Sequence, residues 1–407
     1  EYGIQLHNNP EYTARKLEEI NASTLNERGL RGRFWETYLR PPIDRFQEKL
    51  QRLSAIEKSY FYAVYNFLTK ELYTSKSGDV DYEGRTGAAS LWLSTLAEKC
   101  ESGEIIYDLR IKENHAADEH KSHLLLVPSG ELQRTVADDA QHTLPNFRQG
   151  DAIVLYERNA DTDNVTNKMV FKGNIDYLNE NEICIRLRAT QQNSSVLPSD
   201  SLYAIEHDAM DTTFRSMYQG LYAFMSATKE RRDLLLSQRP PRFDESLDSM
   251  ISRSEDDFTR VALKAKAAQD YFLLIGPPGT GKTSCALKKM VETFHADKDA
   301  QILLLSYTNR AVDEICKSLA SIAPAVDFIR VGSELSCDEA YRGHLIENEL
   351  SSCNRRSEVY ERIRNCRIIV GTVAAISGKP ELFRLKHFDV AIIDEATQIL
   401  EPQLLGI

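Results

Sequence analysis

The sequence predicts an α/β protein in which a helical region and a small antiparallel β-barrel precede a parallel, doubly wound sheet. Between about Glu104 and Ile205, short apolar runs are separated by polar or glycine-containing turns, a pattern typical of antiparallel strands. From Tyr271 onwards, predicted strands and helices alternate, which indicates a parallel sheet with helices on its faces. The first strand of that sheet leads directly into a glycine-rich loop.

This loop is the strongest functional signal in the chain. The apolar run Tyr271–Ile275 predicts a buried strand, and the sequence GPPGTGKT that follows fits the phosphate-loop pattern G-x-x-x-x-G-K-[ST]. Glycines let successive backbone N–H groups curl around a phosphate, Lys282 supplies a positive charge, and Thr283 supplies a hydroxyl for Mg²⁺. The predicted helix Cys285–Phe294 directs its positive end at the anion. The predicted phosphate-binding residues are Gly276, Pro277, Pro278, Gly279, Thr280, Gly281, Lys282, Thr283 and Ser284.

A second signal lies at the end of the last predicted strand, Val390–Ile393, which is followed by two acids. At the carboxyl end of a parallel strand, where such sheets bind ligands, Asp394 is suited to the Mg²⁺ shell. Glu395 is suited to orient or deprotonate an attacking water. The two acids therefore separate metal binding from general-base catalysis.

Composition limits the possible classes of protein. The 407 residues are 42% hydrophobic and 27% charged, as in an ordinary globular protein of two or three domains, and the formal net charge of −11 argues against nucleic-acid binding through bulk positive charge. Seven cysteines without a C-x-x-C pair indicate free thiols, so we expect a cytoplasmic location. No apolar run approaches the roughly 20 residues of a membrane helix. The first and last residues, Glu1 and Ile407, suggest a piece of a longer protein.

Four regions are predicted along the chain: helical residues 1–103, the barrel at 104–210, a helix and linker at 211–255, and the sheet domain at 256–407 with a helical insertion at 333–365. The first region is expected to hold one long helix, Ile43–Tyr73, whose aromatic residues are interpreted as core rather than as a base-stacking surface. A helix Tyr82–Cys100 and a helix from Thr212, capped by Asp211, are also predicted.

Strand boundaries follow from the same patterns. The barrel strands are predicted at Ile105–Ile111, His123–Val127, Ala152–Glu157, Met169–Tyr177, Ile183–Arg188 and Leu202–Ile205. The sheet strands after the first are predicted at Gln301–Ser306, Phe328–Val331, Ile368–Val370 and Val390–Ile393, with helices at Asp256–Ala268 and Ala311–Ala323.

Five motifs in order resemble the first motor domain of superfamily I helicases: GPPGTGKT, LLLSYTNRAVDEI, RVGS, IIVGTV and AIIDEATQILEPQLL. They look most like the branch containing the nonsense-mediated-decay RNA helicase and the Okazaki-flap nuclease-helicase. The resemblance covers Tyr271–Leu405 and implies a RecA-like parallel P-loop ATPase domain preceded by a helical stalk and a small antiparallel β-barrel. It further implies ATP and Mg²⁺ as cofactors, single-stranded nucleic acid as partner with DNA favoured over RNA, and a second RecA-like domain outside this chain.

The resemblance also implies roles for single residues. Lys282, Asp394 and Glu395 would be catalytic, and Thr283 and Asp394 would bind magnesium. Thr308, Asn309, Gly371 and Thr372 stand where this branch touches the nucleic-acid backbone without reading bases. An alternative for Thr308 and Asn309 is ordinary capping of the helix that follows.

Departures from the family pattern leave alternatives open. The branch has an adenine-reading glutamine before the phosphate loop, and none occurs between Glu255 and Lys266, so a preference for ATP is in doubt. Without the second motor domain and its arginine fingers, we expect slow hydrolysis. A ring-forming AAA-type ATPase and a non-catalytic nucleotide-dependent binding module remain alternatives.

Two further clusters have weaker interpretations. Residues His115, Asp118, Glu119, His120 and His123 offer metal ligands without a usual zinc spacing. Five arginines between Arg355 and Arg367 outnumber two glutamates, which suggests either a solvated helix face or a contact with nucleic acid.

Overall fold

The structure is a computed structural model that describes residues 10–77, 92, 94–119, 122–129, 146–179, 181–208 and 212–407. The chain divides into two compact units, one within residues 69–211 and the other formed by residues 9–68 together with 212–407. Among the described residues, no helix is long and apolar enough to cross a membrane.

The first unit is a closed antiparallel β-barrel, as predicted. Its strands pair in the order β1-β2-β5-β4-β3-β6, and side chains of alternating residues fill its interior, including Leu124, Ile153 and Ile205. Each strand agrees with its prediction to within a few residues. The strands are β1 Ile105–His115, β2 His123–Pro128, β3 Ala152–Glu157, β4 Val170–Leu178, β5 Ile183–Leu187 and β6 Tyr203–His207.

A short helix, α4 (Leu96–Ser102), is fixed to the barrel by a buried polar network. Lys99 on α4 donates hydrogen bonds of 2.8 and 2.9 Å to the two carboxylate oxygens of Glu206 on β6, and the hydroxyl of Tyr156 on β3 donates to Glu206 at 2.6 Å. A buried charge needs such partners, because an unpaired one is costly. Gly103 ends α4 in the left-handed conformation (φ +71°), and most of the predicted helix Tyr82–Cys100 lies outside the described residues.

The prediction of one long helix from Ile43 to Tyr73 is wrong. The chain forms α1 (Pro10–Glu19), a π-helical turn (Trp35–Leu39), α2 (Arg40–Arg52) and α3 (Ala55–Ser77). Between α2 and α3, Leu53 is extended (ψ 138°), and the backbone N–H of Ser54 donates to the Glu57 carboxylate at 2.7 Å. Ser54-x-x-Glu57 is the residue pattern of a capping box, which favours a new helix start at this point.

The aromatic residues of α3 pack in a core, in agreement with their interpretation. Phe61 is 2% exposed and Phe224 is 1% exposed, and the Tyr60 and Phe224 rings lie 4.8 Å apart. Phe224 belongs to α5 (Thr212–Ser226), which is followed after a break by α6 (Lys229–Leu235), where the Thr228 side chain accepts a hydrogen bond from Arg231 N–H. Asp211, the predicted cap of α5, lies outside the described residues.

The linker expected at the end of residues 211–255 is partly helical. A 3₁₀ turn at Glu245–Leu247 precedes α7 (Asp248–Arg253), and α8 (Asp257–Ala267) follows. The Asp256 side chain caps α8 by accepting from Thr259 N–H. This part of the chain therefore reaches the glycine-rich loop through two consecutive helices.

The second unit contains a parallel sheet with the strand order β10-β7-β9-β8, so the predicted parallel architecture is confirmed. Both faces of the central strands are buried, as parallel sheets require. The strands are β7 Ile302–Ser306, β8 Phe328–Val331, β9 Ile368–Thr372 and β10 Val390–Ile393. The helices that follow the loop are α9 Lys288–His295, α10 Asn309–Ala320, α11 Ile346–Glu349, α12 Arg356–Asn365, α13 Val373–Ser377, α14 Glu381–Leu385 and α15 Glu401–Leu404.

The prediction of a buried strand at Tyr271–Ile275 is wrong. These residues, all described, belong to no strand, and Leu273 and Ile275 are 74% and 92% exposed. Phe272 and Leu274 instead pack beside the alanines of α8. The apolar run partly buries only alternate side chains, so it does not provide the two buried faces of a parallel strand.

Candidate functional site

The glycine-rich loop has the backbone geometry of a phosphate cradle. Gly279 and Gly281 both have φ of +80°, a conformation that other residues rarely adopt. A Cβ on Gly276 would lie 2.8 Å from the Thr280 hydroxyl oxygen, which is closer than side chains tolerate. The glycines at these positions therefore permit a loop in which consecutive N–H groups can face an anion.

Lys282 folds back over this loop. Its Nζ donates hydrogen bonds to the carbonyl oxygens of Gly276 at 2.5 Å and Pro277 at 3.0 Å. Lys282 also begins a π-helical turn, Lys282–Leu287, that continues into α9. The ammonium group is thus held at the loop by neutral acceptors, which a phosphate oxygen can replace with a stronger charge-assisted bond.

The loop and the acid pair meet through Thr283 and Asp394, which are 111 residues apart. The Thr283 hydroxyl donates to Oδ2 of Asp394 at 2.6 Å. Asp394 directly follows β10, and its backbone N–H donates to the carbonyl of Leu305 on β7. The two predicted metal-binding side chains are therefore adjacent at the carboxyl edge of the sheet.

Glu395 is held in an unusual conformation beside Asp394. Its φ is +54°, and its N–H donates to Oδ1 of Asp394 at 3.0 Å. The side-chain amide of Gln398 donates to the Glu395 carboxylate at 3.2 Å. A non-glycine residue with positive φ is uncommon and tends to occur at functional sites. The DEATQ string contained Gln398, but its contact with Glu395 was not foreseen.

Two buried serine hydroxyls donate hydrogen bonds to the backbone carbonyls of the site residues Asp394 and Thr283. Ser306, which is fully buried at the end of β7, donates to the carbonyl oxygen of Asp394 at 3.3 Å. Ser318 on α10 donates to the carbonyl of Thr283 at 3.3 Å. The sequence did not predict either contact, because Ser306 had no role of its own within the LLLSYTNRAVDEI motif and Ser318 lies outside the five motifs.

The residues at this edge fit magnesium and a nucleotide. An oxygen-only pair, one hydroxyl and one carboxylate 2.6 Å apart, is the donor set that Mg²⁺ prefers. The left-handed glycines and Lys282 lie on the loop that carries Thr283. Thr283 and Asp394 would hold the metal, which would supply charge neutralisation, and the loop would hold the phosphates.

Of the residues expected to contact nucleic acid, Thr308 and Asn309 follow β7, and Gly371 and Thr372 end β9 at the same edge of the sheet. The two threonines also have structural roles. Thr308 caps α10 by accepting from Ala311 N–H, with Asn309 as the first residue of that helix. Thr372 caps α13 in the same way. A Cβ on Gly371 would lie 2.9 Å from the Val331 carbonyl, so close packing requires glycine there. Thr308 therefore has the helix-capping role that was given as its alternative.

The arginine of the RVGS motif is buried and forms an ion pair that the sequence did not predict. Arg330 on β8 is fully buried, forms an ion pair with Asp313 on α10, and donates to the carbonyl of Ser336 at 3.3 Å. It joins the sheet, α10 and the insertion that follows β8. The sequence feature that could have predicted this ion pair is a single arginine in the otherwise apolar strand Phe328–Val331.

Most of the arginine excess around α12 stabilises the fold. Arg362 forms two hydrogen bonds with Asp327 and two with Glu349, and Arg367 donates to three backbone carbonyls. Arg356 donates to the Tyr360 hydroxyl. These contacts favour the solvated or structural interpretation of the run over a nucleic-acid surface.

The histidine cluster in the barrel shows no metal site among the described residues. His115 and His123 face each other across β1 and β2 with stacked rings 4.6 Å apart. His115 also lies 3.5 Å from the Glu113 carboxylate. His120, part of the predicted set, lies outside the described residues.

Comparison with known proteins agrees with this geometry. Residues 252–358 and 348–406 match a family described as an AAA domain. The human DNA replication ATP-dependent helicase/nuclease DNA2 is 26% identical over 386 residues, covering 89% of this chain and 33% of that protein. The resemblance to superfamily I helicases is confirmed. The helicase/nuclease JHS1 of Arabidopsis thaliana is 32% identical over 238 residues, 54% of this chain and 17% of that protein.

Similarity to superfamily I helicases extends beyond the loop and acid pair. The alignment with the human relative covers 89% of this chain, well beyond residues 252–406 that match the AAA family. The Saccharomyces cerevisiae relative aligns over 183 residues at 28% identity, or 43% of this chain and 12% of that protein. The chain spans about a third of the length of the human relative.

Proposed function

We propose that this chain is part of an ATP-driven motor that moves along nucleic acid, a helicase or translocase. The contact between Thr283 and Asp394 carries the proposal, because it brings the phosphate loop and the acid pair to one edge of a parallel sheet. Lys282 and the loop N–H groups bind the phosphates of ATP, and Thr283 and Asp394 bind Mg²⁺. Glu395, positioned next to Asp394, activates the attacking water.

The names of the relatives support this function. Both the human and the Arabidopsis relative are described as DNA replication ATP-dependent helicase/nucleases. On this basis residues 256–407 form a RecA-like motor domain, 104–210 the barrel, and the helices of 1–103 and 211–255 include a stalk. A second motor domain completes the ATPase, and the protein acts inside the cell on single-stranded DNA in preference to RNA.

Thr308, Asn309, Gly371 and Thr372 form part of the single-strand track. The capping roles of Thr308 and Thr372 are compatible with this, because a hydroxyl that accepts a hydrogen bond from the backbone still has its own proton to donate to a phosphate oxygen. Short polar side chains of this kind grip the backbone without reading bases.

Single-turnover ATP hydrolysis, with protein in excess over ATP and Mg²⁺, tests the proposal. We expect hydrolysis that rises when single-stranded DNA is added. Glu395→Gln should keep ATP binding and lose roughly 10²- to 10⁴-fold in rate, the typical contribution of a general base. Lys282→Ala should lose ATP binding itself. GTP in place of ATP measures the base preference, since no adenine-reading glutamine precedes the loop.

The same experiment separates the alternatives. Hydrolysis that ignores DNA and RNA would favour a ring-forming AAA-type ATPase, whose loop sequence is the same and whose name the matched family shares. Tight ATP binding with no turnover, with or without a single strand, would favour a nucleotide-dependent binding module.

A further inference from the structure

Three arginines lie unpaired on the surface between α1 and α2. Arg28, Arg31 and Arg33 are all exposed, and within the described parts of the chain none of the three guanidinium groups forms an ion pair or a hydrogen bond. This differs from other arginines of the same unit. Arg232 pairs with Glu57 and Arg239 with Asp270.

The loop that carries these arginines is ordered by its own hydrogen bonds. The side chain of Asn26 accepts from Leu30 N–H at 2.6 Å and donates to the Leu30 carbonyl at 2.9 Å. Gly29 and Gly32 have φ of +62° and +91°, and a Cβ at either would meet no atom within 4 Å. The loop therefore projects into solvent in a defined conformation, which lowers the entropy lost when a ligand binds.

Two exposed aromatic rings follow the arginines. Phe34 and Tyr38 are each 64% exposed, and their ring centroids lie 5.8 Å apart, one turn along the helix. Between them, Trp35 is only 7% exposed and anchors the π-helical turn in the protein. Two large rings held in solvent on an anchored turn are available for contact with a planar ligand.

We propose that the loop and turn at residues 28–38, the arginine–aromatic surface, bind single-stranded nucleic acid. Arg28, Arg31 and Arg33 contact phosphates, and Phe34 and Tyr38 stack against bases, the combination by which proteins hold single strands regardless of sequence. In a protein of net charge −11, a polyanion must be held by local positive charge of this kind. The inference rests on the proposed function, to which it adds a second contact outside the motor domain.

Salt-dependent binding of a short oligothymidylate, measured by fluorescence anisotropy without ATP, tests this site. In the triple variant Arg28→Gln, Arg31→Gln, Arg33→Gln, log affinity should fall less steeply with log salt. The steepness should decrease by about 2, since each phosphate contact on a single strand contributes about 0.7. The matched control changes Arg215, Arg231 and Arg384 to Gln. These exposed arginines lie elsewhere in the same unit, and their loss changes the net charge equally.

The aromatic part of the site has a separate readout. Phe34→Ala with Tyr38→Ala should weaken oligothymidylate binding by roughly 10- to 100-fold and leave the salt slope unchanged, because stacking involves no counterions. The double variant should bind inorganic polyphosphate as the unaltered chain does, which distinguishes base stacking from general attraction to polyanions. Circular dichroism checks that each variant is folded.

The possible outcomes are distinct. If the unaltered chain binds the oligonucleotide and the triple variant binds with the same affinity and slope as the control, the surface does not bind nucleic acid and the inference is overturned. It then serves another partner, such as a protein segment. If the unaltered chain binds no single strand at all, both the inference and the proposed function fail.

Discussion

The hydroxyl of Tyr60 on α3 donates a hydrogen bond of 2.9 Å to the carboxylate of Glu401, the first residue of α15 and 341 residues further along the chain. Glu401 follows the acid pair by only a few residues. Burial and the Glu401 carboxylate raise the pKa of Tyr60 well above its usual value. The segment leaving the acid pair is thus tied to the helix that begins after Ser54.

Removal of this hydrogen bond should loosen the segment after the acid pair. We expect Tyr60→Phe to lower the free energy of unfolding by about 1 kcal/mol, the usual net value of one hydrogen bond. Hydrogen exchange should increase at residues 399–405. The control is Tyr62→Phe, which removes a similar bond to Glu18. Equal exchange of residues 399–405 in both variants would contradict the prediction.

Gly220 provides a second contact between these elements. A Cβ at this position of α5 would overlap the carbonyl oxygen of Pro402 on α15. Gly220→Ala should therefore destabilise the protein by roughly 1 to 3 kcal/mol in urea unfolding, as overpacking does, in spite of the higher helix propensity of alanine. Gly343→Ala, where a Cβ meets no atom within 4 Å, should be close to neutral.

The ion pair between the buried Arg330 and Asp313 should be among the sites of the sheet domain where substitution costs most stability. Asp313→Asn removes the charge that compensates a fully buried guanidinium. We expect a loss of about 3 to 5 kcal/mol in the free energy of unfolding, measured with urea. Glu314→Gln, a neighbouring exposed carboxylate, should change it by less than about 0.5 kcal/mol. Comparable losses in the two variants would show that Arg330 does not depend on Asp313.

The contribution of Asp270 to the free energy of unfolding depends on pH. Hydrogen bonds from Arg239 and Arg242 hold the pKa of Asp270 well below its usual range. Its stabilising contribution is therefore fully present above the pKa of the unfolded chain, near 4, and is lost as pH falls towards the folded-state pKa. In thermal unfolding, Asp270→Asn should melt below the unaltered chain at neutral pH. The difference between the two melting temperatures should become smaller below about pH 4.

A control variant identifies the source of that pH effect. The exposed side chain of Asp299 has no ion pair with any described residue, so Asp299→Asn should leave the melting temperature unchanged at both pH values. If the difference in melting temperature between Asp270→Asn and the unaltered chain stays constant down to pH 3, the charge of the Asp270 carboxylate is not the source of the stabilisation.

The hydroxyl of Thr283 should contribute more to Mg²⁺-dependent ATP binding than its methyl group does. Thr283→Ser keeps the donor to Asp394, whereas Thr283→Val keeps the shape and removes the hydroxyl. We expect Mg²⁺-dependent ATP affinity to survive the first change and to fall at least tenfold with the second, measured by calorimetry with and without Mg²⁺. Similar affinities for the two variants would remove Thr283 from the metal site.

The parts of the fold that the sequence predicted well depend on local patterns. Gly279 and Gly281 permit the positive φ of the phosphate loop, and the alternation of the barrel strands follows directly from the pleat. The break before α3 was also encoded locally, in Ser54 and Glu57, but the apolar periodicity on both sides concealed it.

The features that the sequence did not predict depend on contacts between distant segments. The burial of Arg330 requires Asp313 from another element, and Ser306 meets Asp394 only because β7 and β10 are adjacent. The apolar run Tyr271–Ile275 suggested burial on two faces, yet only Phe272 and Leu274 have neighbours to pack against. Periodicity alone cannot identify how many faces of a segment will be covered.

Strand β10 ends the parallel sheet, and within the described residues it pairs only with β7. The run Tyr271–Ile275 exposes Leu273 and Ile275, and its Phe272 shares an apolar cluster with Ile392 of β10. An open strand edge next to exposed apolar side chains is a template for pairing between copies of a chain. Concentrated solutions should therefore aggregate from this edge, and sulfate, which strengthens apolar burial, should promote the process. A lysine in place of Ile275 should improve solubility, since charged side chains protect natural sheet edges in this way.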